Sequence, residues 1–170
     1  MIKKTIPCMF TLGNLAFGLL SIIMSFQHNY RMASIFVLIA AFTDRYDGRI
    51  ARYLGVSSDI GKELDSLADL VSFGVAPAIL SYVMYDFSSI GILGYIPTLL
   101  FPLAGAYRLA RFNCSQLKNI FIGVPITFAG AFIAIFTLIF INNPEYIAFP
   151  IILMVALSYL MVCNIKIKKV

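Results

Sequence analysis

Charge is what this sequence has least of. Only 12% of its 170 residues are Asp, Glu, Lys or Arg and 61% are apolar, against about 25% charged and about half apolar in a soluble domain. Long apolar runs follow one another with almost no polar face to turn outward, which excludes water as the main solvent. No polar stretch is long enough for a soluble domain or linker, so residues 1–170 read as one domain within a bilayer. Cysteine is sparse too: Cys8, Cys114 and Cys163 are isolated and odd in number. That excludes a paired-cysteine zinc site and leaves packing residues in a reducing setting. The single histidine, His28, sits in a polar break without ligand-forming neighbours and reads as a solvated loop residue. The net charge of +5 does not point to nucleic acid, because the basic residues form no continuous stripe with interleaved aromatics. Met1-Ile2-Lys3-Lys4 begins as a signal peptide would, but no small-residue cleavage site follows. The first apolar segment is therefore expected to be retained as a helix.

What is abundant is apolar sequence in spans. Runs cover 6–26, 32–42, 67–87, 90–109, 121–141 and 146–165, with breaks at Gln27-His28-Asn29, 86–89, 113–119 and Asn142-Asn143-Pro144. Most are long enough to cross a bilayer, and the second must continue helically through the charged stretch 44–52 to do so. The expectation is an all-α integral membrane protein of six transmembrane helices. An even count puts both termini on one side, and Lys3, Lys4, Lys166, Lys168 and Lys169 assign that side to the cytoplasm. Arg45, Arg49, Arg52 and Lys62 flank the second-to-third connection and Arg108, Arg111 and Lys118 the fourth-to-fifth, leaving Arg31 outside. A multi-pass protein of the plasma membrane is expected, its charged stretch on the cytoplasmic face.

Within that stretch lies the chemistry. Asp44, Asp47, Asp65 and Asp69 sit in or beside membrane helices, where an ionised carboxylate costs a few kcal/mol or more and marks function. At about 100° per residue, Asp44, Asp47, Gly48 and Ala51 share one stripe of the second helix, and Gly61, Asp65 and Asp69 one stripe of the third. Converging carboxylates repel unless a cation lies between them, and an all-oxygen set suits Mg²⁺ or Mn²⁺. Gly48, Ala51 and Gly61 leave room for a ligand, and Arg52 stands where its planar fork can hold a diphosphate. A structural salt-bridge network with Arg45, Arg49 and Arg52 leaves Asp65 and Asp69 unexplained. Arg45 and Arg49 themselves read as interfacial anchors.

The run Asp44-Arg45-Tyr46-Asp47-Gly48-Arg49-Ile50-Ala51-Arg52, then Gly61, Asp65 and Asp69, resembles the D-x2-D-G-x2-A-R-x8-G-x3-D-x3-D signature of the CDP-alcohol phosphatidyltransferases. Eight fixed residues at set spacings make the resemblance specific. It implies six-helix protomers paired as homodimers. It implies a pair of ions held by Asp44, Asp47 and Asp65 with a contribution from Asp69, and CDP contacts from Gly48, Arg52 and Ser58. It makes Asp69 the general base that takes the acceptor's proton, with CMP as leaving group and no covalent enzyme intermediate.

Further segments, 6–14, 66–77, Arg108-Leu109-Ala110-Arg111-Phe112-Asn113 and 121–125, resemble the type II, bacillar phosphatidylserine synthases of that family. Thr127 stands where that branch commonly has a second proline. The branch implies transfer from CDP-diacylglycerol to L-serine. Serine presents a carboxylate and an ammonium, so its pocket needs a cation; Arg108 and Arg111, one helical turn apart, are the candidates, though membrane anchoring explains them equally. Thr11 and Asn14 are candidates either for CDP-lipid binding or for bonding a neighbouring helix. The alternatives are another acceptor, glycerol 3-phosphate or inositol phosphate, and more remotely a small cation transporter, which the lack of a second acidic set in an inverted repeat opposes.

Overall fold

The computed structural model describes the backbone at 2–54, 59–114, 120–142, 147–163 and 166–168, and side chains at 8–46, 60–114, 123–142 and 147–163. Helix α1 (Ile2–Phe26) ends at Gln27-His28, with His28 in the left-handed region at φ 58. Asn29 then starts the next helix, its Oδ1 accepting the backbone N–H of Met32 at 3.2 Å, the bond an N-cap residue makes. Helix α2 (Tyr30–Leu54) has 25 residues and carries the charged stretch as its own continuation.

The third helix, α3, covers 59–84 in three parts: an α-helix at Asp59–Asp69, a π turn at Leu70–Val75 and an α-helix at Ala76–Met84. The π turn has a local cause. Pro77 has no N–H to give the carbonyl four residues back, that of Phe73, and the ladder widens so that the Ala76 N–H bonds Val71 O instead. The freed Phe73 backbone lies against Gly130, where any β-carbon would collide with it. A 3₁₀ turn (Phe87–Ile90) leads into α4 (Ile92–Cys114), which holds Pro97 and Pro102 within it. Helices α5 (Ile126–Ile139) and α6 (Ala148–Val162) complete the six.

The chain is therefore a six-helix integral membrane protein. Three helices, over Cys8–Phe26, Ile60–Met84 and Ile92–Cys114, are each long and apolar enough to cross unaided. Helices α5 and α6, of 14 and 15 residues, rise only about 21–23 Å at 1.5 Å per residue. Their outward faces are apolar all the same, with Phe128, Phe132, Ile139, Ile152 and Tyr159 exposed, as expected where lipid is the solvent. The interior combines Val37, Phe73, Phe101, Ile133 and Met154 with small hydroxyl residues. Ser34 and Thr137 hydrogen-bond across α2 and α5 at 2.9 Å, and Ser25 Oγ donates to Ser21 O at 2.8 Å, satisfying polar groups that lipid cannot.

Two features differ from the sequence reading. A short antiparallel pair, β1 (Ile120–Ile122) with β2 (Lys166–Lys168), joins the segment before α5 to the one after α6. Consequently α5 begins at Ile126 and not near Phe121. Gly123, at φ 73, and Pro125, at ψ 139, cannot extend a helix backward, and the Val124 N–H bonds Leu160 O of α6 at 3.2 Å.

Candidate metal centre

Helices α2 and α3 bring three carboxylates together. Asp65 and Asp69 lie one turn apart on α3 and face Asp44 of α2, and one ligand oxygen from each falls within 4.8 Å of the other two. Asp69 is 9% exposed, and Asp44 and Asp65 are half-buried. Three carboxylates this close repel one another unless a cation lies between them. The donor set is entirely oxygen, and Asp65 Oδ1 is buried with no hydrogen-bond partner among the described residues. A hard divalent ion fits these atoms; zinc, which favours nitrogen and sulfur, fits less well.

Two of the acids are held from outside the signature. Asn14 of α1 donates from Nδ2 to Asp69 Oδ1 at 3.2 Å, and Thr127 of α5 donates from Oγ1 to Asp44 Oδ2 at 3.4 Å. Thr11, one turn before Asn14, is buried as well. Asn113 at the end of α4 donates from Nδ2 to Ser66 Oγ at 3.0 Å, tying α4 to the helix that carries Asp65 and Asp69. Thr127 and Ser66 had no role in the sequence reading. The available signal was a hydroxyl in the first turn of a largely apolar helix and another directly after Asp65, neither of which reveals its partner.

The two arginines of α4 separate. Arg108 is buried, 8% exposed, with its charge acting on Asp69, and its Nε has no partner among the described residues. Arg111 donates from Nη1 to Val162 O of α6 at 3.4 Å and stands over the Tyr107 ring, 5.9 Å from the centroid. Asp47, Gly48 and Arg52 belong to α2 by backbone; their side chains, and Ser58 altogether, lie outside the described residues. An apolar groove of about 450 Å³ runs between α2 and α5 along Leu38, Ala41, Phe42 and Phe128 and reaches Asp44 and Thr127. A second, of about 320 Å³, lies between α1 and α2 along Phe10, Ile35, Ile39 and Tyr46 and shares Leu38 and Phe42 with the first.

The model of the CDP-alcohol phosphatidyltransferase family matches residues 4–163. A CDP-diacylglycerol--serine O-phosphatidyltransferase of Bacillus subtilis (strain 168) is 46% identical over 164 residues, covering 95% of this chain and 88% of that protein. The enzyme of the same name from Helicobacter pylori (strain ATCC 700392 / 26695) is 37% identical, covering 94% of this chain and 70% of its own. An archaetidylserine synthase of Methanothermobacter thermautotrophicus is 39% identical, covering 97% and 70%.

Proposed function

The chain belongs to the CDP-alcohol phosphatidyltransferase family, and from that premise we propose that it transfers the phosphatidyl group of CDP-diacylglycerol to L-serine, giving phosphatidylserine and CMP. The observation that carries this reading is the meeting of Asp44, Asp65 and Asp69, with Asp44 also lining an apolar groove. A substrate with a diphosphate at one end and acyl chains at the other needs both features side by side. Serine as the acceptor is supported by the names of the relatives and by Arg108, a buried cation suited to a carboxylate.

Asp44, Asp65 and Asp69, with Asp47 by family resemblance, would hold a pair of Mg²⁺ or Mn²⁺ ions. When bound, such ions supply the positive charge that a breaking diphosphate requires. Asp69 accepts the proton of the serine hydroxyl as that oxygen forms its bond to the lipid-linked phosphorus, and the bridging P–O bond to the CMP moiety breaks. Arg108 orients serine by its carboxylate. Arg52, Gly48 and Ser58 hold CDP, and the α2–α5 groove takes an acyl chain. The chain works as a homodimer in the plasma membrane, with the site and both termini cytoplasmic, an orientation supported by the excess of Lys and Arg on that side.

The test is an acceptor screen on the detergent-solubilised protein, with CDP-diacylglycerol, Mg²⁺ or Mn²⁺, and serine, glycerol 3-phosphate or inositol phosphate in turn. CMP release is expected with serine. Release with a phosphorylated alcohol and none with serine would reassign the acceptor, and release with no acceptor would remove the transferase reading.

A further inference from the structure

Asn14 is fully buried in α1, yet its amide is only partly used. One Nδ2–H bonds Asp69 Oδ1 at 3.2 Å, while Oδ1 of Asn14 has no partner among the described residues. A buried acceptor without a donor is costly, and leucine would fill the same space without that cost. The polar side chain therefore serves Asp69 and not packing.

Its delivery is rigid. The backbone carbonyl of Asn14 accepts from Ser72 Oγ at 3.0 Å, across the seam between α1 and α3. One turn further along, Gly18 lets the two helices close: any β-carbon there would strike Ser72 Oγ and lie 2.8 Å from Ser72 Cα. Ser72 belongs to the π turn that starts directly after Asp69. The seam thus fixes the distance between the amide and the carboxylate from both helices. Asn14 is fully buried, and its amide N–H is already engaged by Asp69.

We propose that Asn14 is a positioning residue for Asp69, holding one carboxylate oxygen through its amide N–H so that the other is presented to the ion site and the incoming hydroxyl. It is not a contact to the CDP moiety. This inference rests on the transferase reading with Asp69 as base.

The experiment compares Asn14→Leu, Asn14→Ala, Asn14→Gln and Ser72→Ala in the full chain, measuring CMP release with serine at saturating Mg²⁺. For Leu and Ala, kcat should fall about 10- to 100-fold, a share of what a well-placed base supplies, with KM for CDP-diacylglycerol held within about threefold. Asn14→Gln keeps the donor on a longer stem and should recover part of the rate. Ser72→Ala should show a smaller loss with the same split between kcat and KM, and it carries the test if the Asn14 variants do not purify folded. A raised KM for CDP-diacylglycerol with kcat unchanged would make Asn14 a nucleotide contact and overturn the proposal, as would wild-type kinetics in Asn14→Ala. Failure of the transferase reading is seen separately, as wild-type protein that releases no CMP with any acceptor.

Discussion

Replacing Arg108 by glutamine probes acceptor recognition and the electrostatics of the centre together. Arg108 is buried, and its Nε has no partner among the described residues, so a bound carboxylate would meet at least one donor that no protein group among them engages. Charge-assisted hydrogen bonds of this kind are worth about 1.5–3 kcal/mol, which at about 1.4 kcal/mol per decade raises KM for serine about 10- to 150-fold. The same change removes a positive charge acting on Asp69. Divalent ions are then repelled less, so the Mg²⁺ or Mn²⁺ midpoint should stay the same or fall. A purely structural arginine would shift both constants in the unfavourable direction. The assay is initial-rate CMP release over a serine series at saturating CDP-diacylglycerol, repeated over a metal series. Arg108→Lys should recover only part of the affinity, because a point charge replaces a two-pronged fork. Arg111→Ala, whose guanidinium engages Val162 O and Tyr107, should leave serine KM within about threefold. An unchanged serine KM in Arg108→Gln would refute the acceptor assignment, and a weakened metal midpoint would refute the electrostatic reasoning.

Other consequences can be checked in the same preparation. Asp44→Ala or Asp65→Ala should abolish turnover and metal-dependent thermal stabilisation, since the remaining acids cannot hold the ion geometry; a normal metal titration in both would reject the centre. Asp69→Asn keeps size and loses proton acceptance, so turnover should collapse while CDP-diacylglycerol binding stays within about tenfold, and near wild-type CMP release would remove Asp69 from the base role. Cysteine labels at positions 3 and 168 should report the cytoplasm and one at position 142 the outside; labelling of both ends from outside would invert the topology.

Much of the site was legible in the sequence because its information is periodic. Asp65 and Asp69 are four apart and had to share a helix face, and Asp44 had to lie on the charged continuation of α2. Composition alone called for the bilayer, and the six helices follow the apolar runs with their breaks at Gln27-His28-Asn29 and around Asp86. The partners of those acids were another matter. Asn14 and Asp69 are 55 positions apart and Thr127 and Asp44 are 83 apart, and no local pattern specifies which buried polar groups meet across helices. From the sequence Asn14 reads equally as a CDP-lipid contact or as a bond to a neighbouring helix, and its bond to Asp69 is visible only in the fold. Arg108 and Arg111 looked equivalent as neighbours one turn apart, and only the packing of α4 against α3 and α6 tells them apart. The π turn was hidden for a similar reason. Pro77 announces a lost hydrogen bond, but whether a helix kinks, stops or widens depends on what packs beside it, here the small face of Gly130.

The reaction proposed for the aspartate centre is the divalent-ion-dependent transfer of a phosphatidyl group onto serine. Its most direct test follows labelled serine into lipid and free CMP in one reaction, with chelator-stripped protein and with Mg²⁺ or Mn²⁺ restored. Neither product is expected without metal, and equal amounts of labelled phosphatidylserine and CMP should appear once it returns. Serine incorporation that persists in the stripped protein, or CMP released without labelled lipid, would contradict it.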